Sequence, residues 1–288
     1  MNLKDRVALV TGAWRGIGAA TAEVLAHRGA QVAMSARTTS DLDRVASRIR
    51  DEGGQAFVVP CDVLNLTQIE AAIDAVVRHR GRLDILVNNT GLGTPIMPVE
   101  AISPSDWDRT LALNLKAAFL CIRAAAPVMK RQGCGRIVNV SSIAGWHFSL
   151  MSGPKYSAAK AGIIGLTKHM AVELGPFGIN VNSVAPSVVL TERVKAKWEA
   201  RGEEERQRIL GCKRTGCNDV FPGRQAGAID SGGGQIGQPR GEACKGERVL
   251  AARKLNSYEP FIIVCHAKLD PASRKATGFR LSASLWPE

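Results

Sequence analysis

Residues 7–18 read VALVTGAWRGIG, and this stretch decides the fold class. The apolar run at residues 7–10 is typical of a buried strand, and Gly12, Gly16 and Gly18 follow it just before a helical pattern. Glycines in such a turn permit a tight bend and a close approach of a ligand to the backbone. The free N–H groups at the start of the next helix favour an anion such as a pyrophosphate. The stretch therefore predicts a strand, a phosphate-binding turn and a helix.

The alternation of strand and helix continues to about residue 190. Short runs rich in apolar and β-branched residues are separated by helical patterns, which favours parallel strands joined by crossover helices. The runs are apolar almost throughout, as expected for strands covered by helices on both faces. The predicted strands are 7–10, 31–34, 56–59, 83–87, 136–140 and 179–184. We predict an α/β fold with a doubly wound parallel sheet, in a single Rossmann-type domain over residues 1–210.

Composition narrows the class of partner. The chain has 288 residues and a formal net charge of +12, and its excess of Lys and Arg is spread along the sequence. A dispersed excess favours anionic small ligands or acidic partners over a nucleic-acid surface. No continuous hydrophobic run approaches the length of about 20 residues that a membrane helix needs. We therefore expect a cytoplasmic protein that binds neither nucleic acid nor membrane.

The seven cysteines carry little functional signal. Cys61, Cys121 and Cys134 lie in apolar or loop-edge settings, and we expect them to be reduced thiols. The later cysteines and His266 match no paired-ligand spacing. We therefore expect no metal site.

The residues that follow the second strand bear on the choice of cofactor. Ligands of doubly wound sheets bind at the carboxyl ends of the strands, and NAD enzymes usually offer an acidic side chain here to the ribose. This chain has Ala36 at that position, followed by Arg37. Without the carboxylate, Arg37 and Arg15 can reach a 2′-phosphate, whose oxygens suit guanidinium groups. The pattern favours NADP(H), and the alternative is that both arginines are solvated surface charges.

Tyr156 and Lys160 are four residues apart, on one face of a predicted helix. Hydride transfer to a carbonyl leaves an alkoxide that needs a proton, and a tyrosine with a pKa near 10 must be acidified to supply it near neutral pH. A neighbouring ammonium stabilises the phenolate. The pair is therefore a candidate proton donor and its activator.

These motifs resemble the short-chain dehydrogenase/reductase family in their order over about 190 residues. The glycine turn is similar to the family's Thr-Gly-x-x-x-Gly-x-Gly segment, and residues 88–91 to its Asn-Asn-Ala-Gly segment, with Thr90 in the Ala position. The resemblance implies catalytic roles for Asn114, Ser142, Tyr156 and Lys160, where position favours Ser142 over Ser141. It also implies cofactor contacts from Gly12, Arg15, Gly16, Ile17, Gly18, Arg37, Asp62, Val63, Asn88, Tyr156, Lys160 and Thr191.

The resemblance implies an NADP(H)-dependent oxidoreductase that acts on a small carbonyl or alcohol. Apolar residues flank the catalytic positions and favour a hydrophobic substrate, for which a 3-oxoacyl thioester is one candidate. They are Ile96, Met97, Trp146, Phe148, Leu150 and Met151. Arg131 lies where 3-oxoacyl-carrier-protein reductases use a basic residue towards acyl carrier protein, but Phe177 replaces a second one. The alternative is a catalytically impaired family member that binds nicotinamide, for example as a sensor.

The family pattern ends at about residue 210. Residues 211–247 contain ten glycines, a composition that does not readily offset the entropy lost on ordering. We interpret residues 211–288 as an atypical tail, either disordered or the product of a frameshift, and its single strand candidate is Phe261–Cys265. The resemblance implies a homotetramer, and we expect such a tail to weaken this assembly. Ser187 replaces a glycine of the family, and we expect strain there if the backbone needs a positive φ.

Overall fold

The computed structural model describes residues 2–146, 149, 151–189, 191–207, 262–269 and 276–284, the last two segments as backbone only. The strands are β1 (Val7–Thr11), β2 (Gln31–Ser35), β3 (Gln55–Val58), β4 (Ile85–Asn88), β5 (Gly135–Val140), β6 (Ile179–Pro186), β7 (Ile262–Leu269) and β8 (Ala276–Ser284). The helices are α1 (Gly16–His27), α2 (Thr39–Asp51), α3 (Leu66–Arg80), α4 (Pro104–Leu111), α5 (Ala117–Gln132), α6 (Pro154–Leu174) and α7 (Glu192–Glu199).

The strands form one sheet in the order β3-β2-β1-β4-β5-β6-β7-β8. Strands β1 to β6 pair in parallel. The chain order reverses between β1 and β4, which is the point where such sheets bind ligands at the carboxyl ends of their strands. The predicted doubly wound α/β fold and its six parallel strands are confirmed.

Helices cover both faces of the parallel sheet. On one face, α1 and α2 bury a core with Ala22, Leu42 and Ile49. On the other, α3, α5 and α6 bury a second core, with Ile73 and Met129 among its largest side chains. All five residues of β1 are buried, because the strand lies between the two cores. This is why the strands lack a polar alternation.

Helices α4 and α5 run continuously through a π-helical turn at Ala112–Lys116. The whole stretch Pro104–Gln132 is long and apolar enough, by length and composition alone, to cross a membrane. Its apolar side includes Leu120, Ile122 and Met129, which are buried in the core. Core helices show the same property, so the stretch gives only weak evidence for a membrane span.

Most of the predicted tail domain, 211–288, lies outside the described residues, and the division at residue 210 stays a prediction. Two segments within it are strands. β7 pairs antiparallel with β6, and the strand candidate Phe261–Cys265 overlaps it from Ile262 onwards. β8 pairs antiparallel with β7, and the sequence analysis did not anticipate it. The described part of the tail thus extends the sheet beyond β6.

Candidate active site

The glycine turn joins β1 to α1 as the sequence predicted. Gly12 and Gly16 have φ angles of 65° and 56°, which side chains other than glycine rarely adopt. A Cβ atom on Gly18 would lie 2.4 Å from the Asn89 side chain and from the Gly12 carbonyl oxygen. Arg15 precedes α1, and its side chain makes no capping hydrogen bond. The backbone at the start of α1 is therefore closely fitted to the turn and suited to a phosphate group.

The two arginines expected near the adenosine ribose are both exposed. Within the described residues, neither Arg15 nor Arg37 forms an ion pair with an acidic side chain. The Gly12 and Ala13 N–H groups donate to the Ser35 carbonyl oxygen at 2.7 and 3.3 Å, which fastens the turn to the end of β2. The backbone of the turn that carries Arg15 is thus joined to the end of β2, the strand that Arg37 follows.

Asp62 and Val63 follow β3 at the same edge of the sheet. Asp62 Oδ1 accepts a hydrogen bond from the Leu64 N–H at 3.0 Å, and the Asp62 N–H donates to Gln68 Oε1 at 2.8 Å. The Val63 side chain is buried in the core, so a ligand could contact Val63 only through its backbone. These bonds shape a local turn at this edge of the sheet.

Asn88 is buried, and its Nδ2 donates to Asn139 Oδ1 at 2.9 Å. Asn139 in turn donates to Thr167 Oγ1 at 3.0 Å, which links β4 and β5 to α6. Asn88 Oδ1 has no hydrogen-bond partner among the described residues. The hydrogen bond of the Asn88 side chain is therefore internal to the sheet, and the predicted cofactor contact would fall to its backbone or to this free oxygen.

Thr11 and Asn89 support the glycine turn; both lie in the motifs that resemble the family, but the sequence analysis did not name them as site residues. Asn89 Nδ2 donates to the carbonyl oxygens of Thr11 and Gly12 at 3.0 and 3.2 Å. Thr11 Oγ1 accepts from the N–H groups of Asn89 and Thr90, both at 3.1 Å. These bonds tie the end of β4 to the glycine turn across the point where the strand order reverses.

Asn114 lies in the π-helical turn and is buried. Its Oδ1 accepts from the Leu92 N–H at 2.9 Å, and its Nδ2 donates to the carbonyl oxygens of Thr110 and Leu92 at 3.0 and 3.2 Å. The buried amide is therefore satisfied by backbone groups, as its burial requires. π-Helical turns often mark functional sites.

Lys160 lies at the centre of the predicted catalytic group. Its Nζ is buried, donates to the Val140 carbonyl oxygen at 2.7 Å and lies 5.6 Å from the centre of the Tyr156 ring. Burial lowers the pKa of this ammonium to about 8. A Cβ atom on Gly91 would lie 2.7 Å from Asn114 Oδ1 and 3.3 Å from Lys160 Nζ, so these two groups meet beside the residue that follows β4.

The two serines after β5 have different surroundings. Ser141 is buried and its hydroxyl donates to the Lys160 carbonyl oxygen at 2.7 Å. Ser142 is half-buried, and its Oγ accepts from the Ala144 N–H at 3.2 Å. The Ser142 hydroxyl therefore keeps its proton for another acceptor. This difference supports the choice of Ser142 as the residue that polarises a carbonyl.

The loop that follows β6 brings Thr191 next to the glycine turn. A Cβ atom on Gly16 would lie 3.1 Å from Thr191 Cγ2, so the loop before α7 packs on the turn. Among the described residues, Asp5 alone combines a side chain with a positive φ. Ser187 therefore does not adopt the strained conformation that the sequence analysis considered.

Lys155 is a second buried lysine that the sequence analysis did not identify. Its Nζ lies 3.8 Å from Asp106 Oδ2 and 4.0 Å from Met97 Sδ. It thereby links the start of α6 to α4 and to the loop after β4. Of the apolar residues predicted near the substrate, Ile96, Met97, Trp146 and Met151 are described, while Phe148 and Leu150 lie outside the described residues.

The described cysteines, Cys61, Cys121 and Cys134, are free thiols. Burial raises the pKa of Cys61 to about 11 and that of Cys121 to about 12, so both stay protonated at neutral pH. The described part of the chain contains no cluster of three or more His, Cys, Asp or Glu that could hold a metal ion.

Comparison with known proteins places this site in a wider group. A family model described as "short chain dehydrogenase" matches residues 6–202. A probable galactose dehydrogenase from Rhizobium meliloti (strain 1021) is 40% identical over 198 residues, which cover 68% of this chain and 77% of that protein. A 3-oxoacyl-[acyl-carrier-protein] reductase from Synechocystis sp. (strain ATCC 27184 / PCC 6803 / Kazusa) is 40% identical over 194 residues, 66% of this chain and 76% of the relative.

A solved structure shows the same similarity. The crystal structure of a 3-oxoacyl-[acyl-carrier protein] reductase from Brucella melitensis with bound NAD has a TM-score of 0.63 and 38% sequence identity. The similarity covers 68% of this chain and 76% of that chain. The relatives thus share the fold and differ in the substrates that their names state.

Proposed function

This chain belongs to the short-chain dehydrogenase family, and from that premise we propose that it is an NADP(H)-dependent oxidoreductase for a hydrophobic carbonyl or alcohol. The main support for this proposal is the buried Lys160 ammonium, which donates to the Val140 carbonyl oxygen beside the ring of Tyr156. A cation fixed in a buried site stabilises a nearby phenolate. With a pKa of about 8, it is mainly charged at neutral pH.

The described residues fit a dinucleotide. The turn at Gly12 and Gly16 would let the backbone approach a phosphate, and the side chain of the N-cap residue Arg15 makes no hydrogen bond to the start of α1. When it is bound, the dinucleotide supplies or accepts the hydride. Arg15 and Arg37 would hold the 2′-phosphate, because both cations are exposed and lack an ion-pair partner among the described side chains.

The protein's own catalytic steps concern a proton and a carbonyl dipole. We propose that the Tyr156 hydroxyl gives its proton to the substrate oxygen during reduction and takes it back during oxidation. The free O–H of Ser142 polarises the same oxygen. Asn114 holds the loop that begins at Leu92 in place, and this fixes the space next to Lys160.

The proposed substrate is apolar, and the more specific candidate is a 3-oxoacyl thioester. The galactose dehydrogenase and 3-oxoacyl reductase among the relatives point to different substrates. Ile96 is 56% exposed in the loop after β4, and its backbone lies against Gly153, just before the helix that carries Tyr156. A large exposed apolar side chain on this loop favours a hydrophobic ligand over a sugar.

For the partner, we propose more specifically an acyl carrier protein. Arg131 is exposed in the last turn of α5, next to Lys130. Lys130 Nζ lies 4.3 Å from the centre of the Phe177 ring, so a basic group is present where Phe177 replaces one in the sequence. If this surface binds the carrier, Arg131→Ala should raise KM for a carrier-bound substrate and leave KM for a small thioester unchanged. An equal KM for both forms of substrate in the parent protein would contradict the carrier proposal.

Binding and turnover measured together test the proposed function. The full chain is titrated with NADPH and with NADH by nicotinamide fluorescence, and a panel of apolar ketones, 3-oxoacyl thioesters and sugars is then assayed. We expect tighter binding of NADPH and turnover of an apolar carbonyl. Equal or tighter binding of NADH would overturn the cofactor assignment. Cofactor binding without turnover across the panel would favour the impaired or sensory alternative.

A further inference from the structure

The Arg15 guanidinium lies on the indole ring of Trp14. Its central carbon is 3.8 Å from the ring centre. This distance is typical of a planar guanidinium stacked on an aromatic face, and tryptophan is the strongest aromatic partner for a cation. A stacked guanidinium uses its face for the ring and keeps the N–H donors at its edge for an anion. The contact therefore orients Arg15 without occupying its hydrogen bonds.

Trp14 can act as a fixed platform because it is itself anchored. Its side chain is half-buried and packs on the core beneath α1 and α2, the same core on which Ala36 packs. Arg15, by contrast, is exposed and would otherwise sample many rotamers. The ring therefore limits the freedom of a side chain that solvent alone would leave mobile.

The platform lies at the adenosine end of the site. The hydrogen bonds from the Gly12 and Ala13 N–H groups to the Ser35 carbonyl oxygen hold the glycine turn against the end of β2. Trp14 and Arg15 come directly after these donors, and Ala36 and Arg37 come directly after the acceptor. The backbone that carries the stacked pair is therefore joined to the end of β2, where Ala36 stands in place of an acidic residue.

We infer that Trp14 is a positioning residue for cofactor selection, and that it presents the Arg15 guanidinium to the 2′-phosphate of NADP(H). This inference rests on the proposed preference for NADP(H). It assigns the discrimination between NADP(H) and NAD(H) to the pair Trp14 and Arg15, and in this pair Trp14 acts only through Arg15.

A double-mutant cycle tests this role. Trp14→Leu keeps an apolar side chain and removes the aromatic face, while Trp14→Phe keeps a weaker one. Each variant of the full chain is titrated with NADPH and NADH, in the parent and in the Arg15→Ala background. We expect Trp14→Leu to weaken NADPH binding about two- to five-fold and to leave NADH binding unchanged, with Trp14→Phe in between. In the Arg15→Ala background the same substitution should have no effect on the ratio of the two affinities.

The outcomes separate this inference from the proposed function. A parent protein without a preference for NADPH would overturn both. A parent that prefers NADPH and loses this preference with Arg15→Ala, but keeps it with Trp14→Leu, would overturn the inference alone. Equal weakening of NADPH and NADH by Trp14→Leu would also overturn it, since the ring would then contact a part of the cofactor that both molecules share.

Discussion

The proposed adenosine end of the site, with Arg15 and Arg37, and the proposed catalytic end, with Lys160 and Asn114, hold their charges in different ways. Arg15 and Arg37 are exposed, and within the described chain they have no acidic partner. Lys160 and Asn114 are buried and hydrogen-bonded to the backbone. Exposed charges act in water, where each contact contributes little. Buried groups fixed before the reaction act more strongly and cost no reorganisation. Substitutions should therefore affect turnover far more at the catalytic end than they affect cofactor choice at the adenosine end.

Tyr156→Phe should give the largest effect. It removes the proposed proton donor and keeps the ring, so kcat should fall about 10²- to 10⁴-fold while the affinity for NADPH changes little. Initial rates with the best substrate of the panel and a fluorescence titration measure the two effects. The chain has two tyrosines, and Tyr258→Phe, at a position outside the described residues, is the matched control. Near-normal turnover by Tyr156→Phe would show that another group supplies the proton.

Lys160→Met should change how stability depends on pH. Burial lowers the pKa of Lys160 from 10.5 to about 8, so the unfolded chain binds this proton more tightly than the folded protein. Between these values the unfolded state carries more protons, and the free energy of unfolding of the parent should rise with pH. The rise should amount to at most about 3 kcal/mol, and Lys160→Met should lack it.

Urea unfolding of the cofactor-free protein at several pH values from 7 to 10 measures this slope. Lys195 is an exposed lysine on α7, and Lys195→Met should keep the slope of the parent. Parallel curves for the parent and Lys160→Met would mean that the Lys160 ammonium is not destabilised by burial.

The double substitution Ala36→Asp and Arg37→Ala should reverse the cofactor preference. It restores an acidic partner for the ribose and removes one cation, so the ratio of NADH to NADPH affinity should rise about ten- to a hundred-fold. Arg44 is an exposed arginine on α2 paired with Asp41, and Arg44→Ala should leave the ratio unchanged. An unchanged ratio in the double variant would place the discrimination elsewhere in the adenosine site.

The sequence predicted the parts of the site that depend on local pattern. The glycine turn, the six parallel strands and the spacing of Tyr156 and Lys160 can be read from neighbouring residues. The π-helical turn at Asn114 could not, because its amide is satisfied by Leu92, 22 residues away. Strand β8 was missed for a similar reason, since its pairing with β7 is set by register and not by an apolar run.

The sequence alone likewise could not show that Asn89 supports the glycine turn, because the Asn89 side chain donates to backbone oxygens 77 and 78 residues away. Asn89→Ala should therefore lower the free energy of unfolding by about 1–2 kcal/mol. It should also weaken the binding of NADPH and NADH to the same degree, because the proposed role of the turn is to bind the pyrophosphate that both cofactors share. This equal loss distinguishes Asn89 from Arg37, whose removal should affect NADPH alone. Urea unfolding and paired titrations measure both effects, and Asn89→Asp, which keeps the shape without the donor, should behave like Asn89→Ala. A loss confined to NADPH would instead place Asn89 among the groups that recognise the 2′-phosphate.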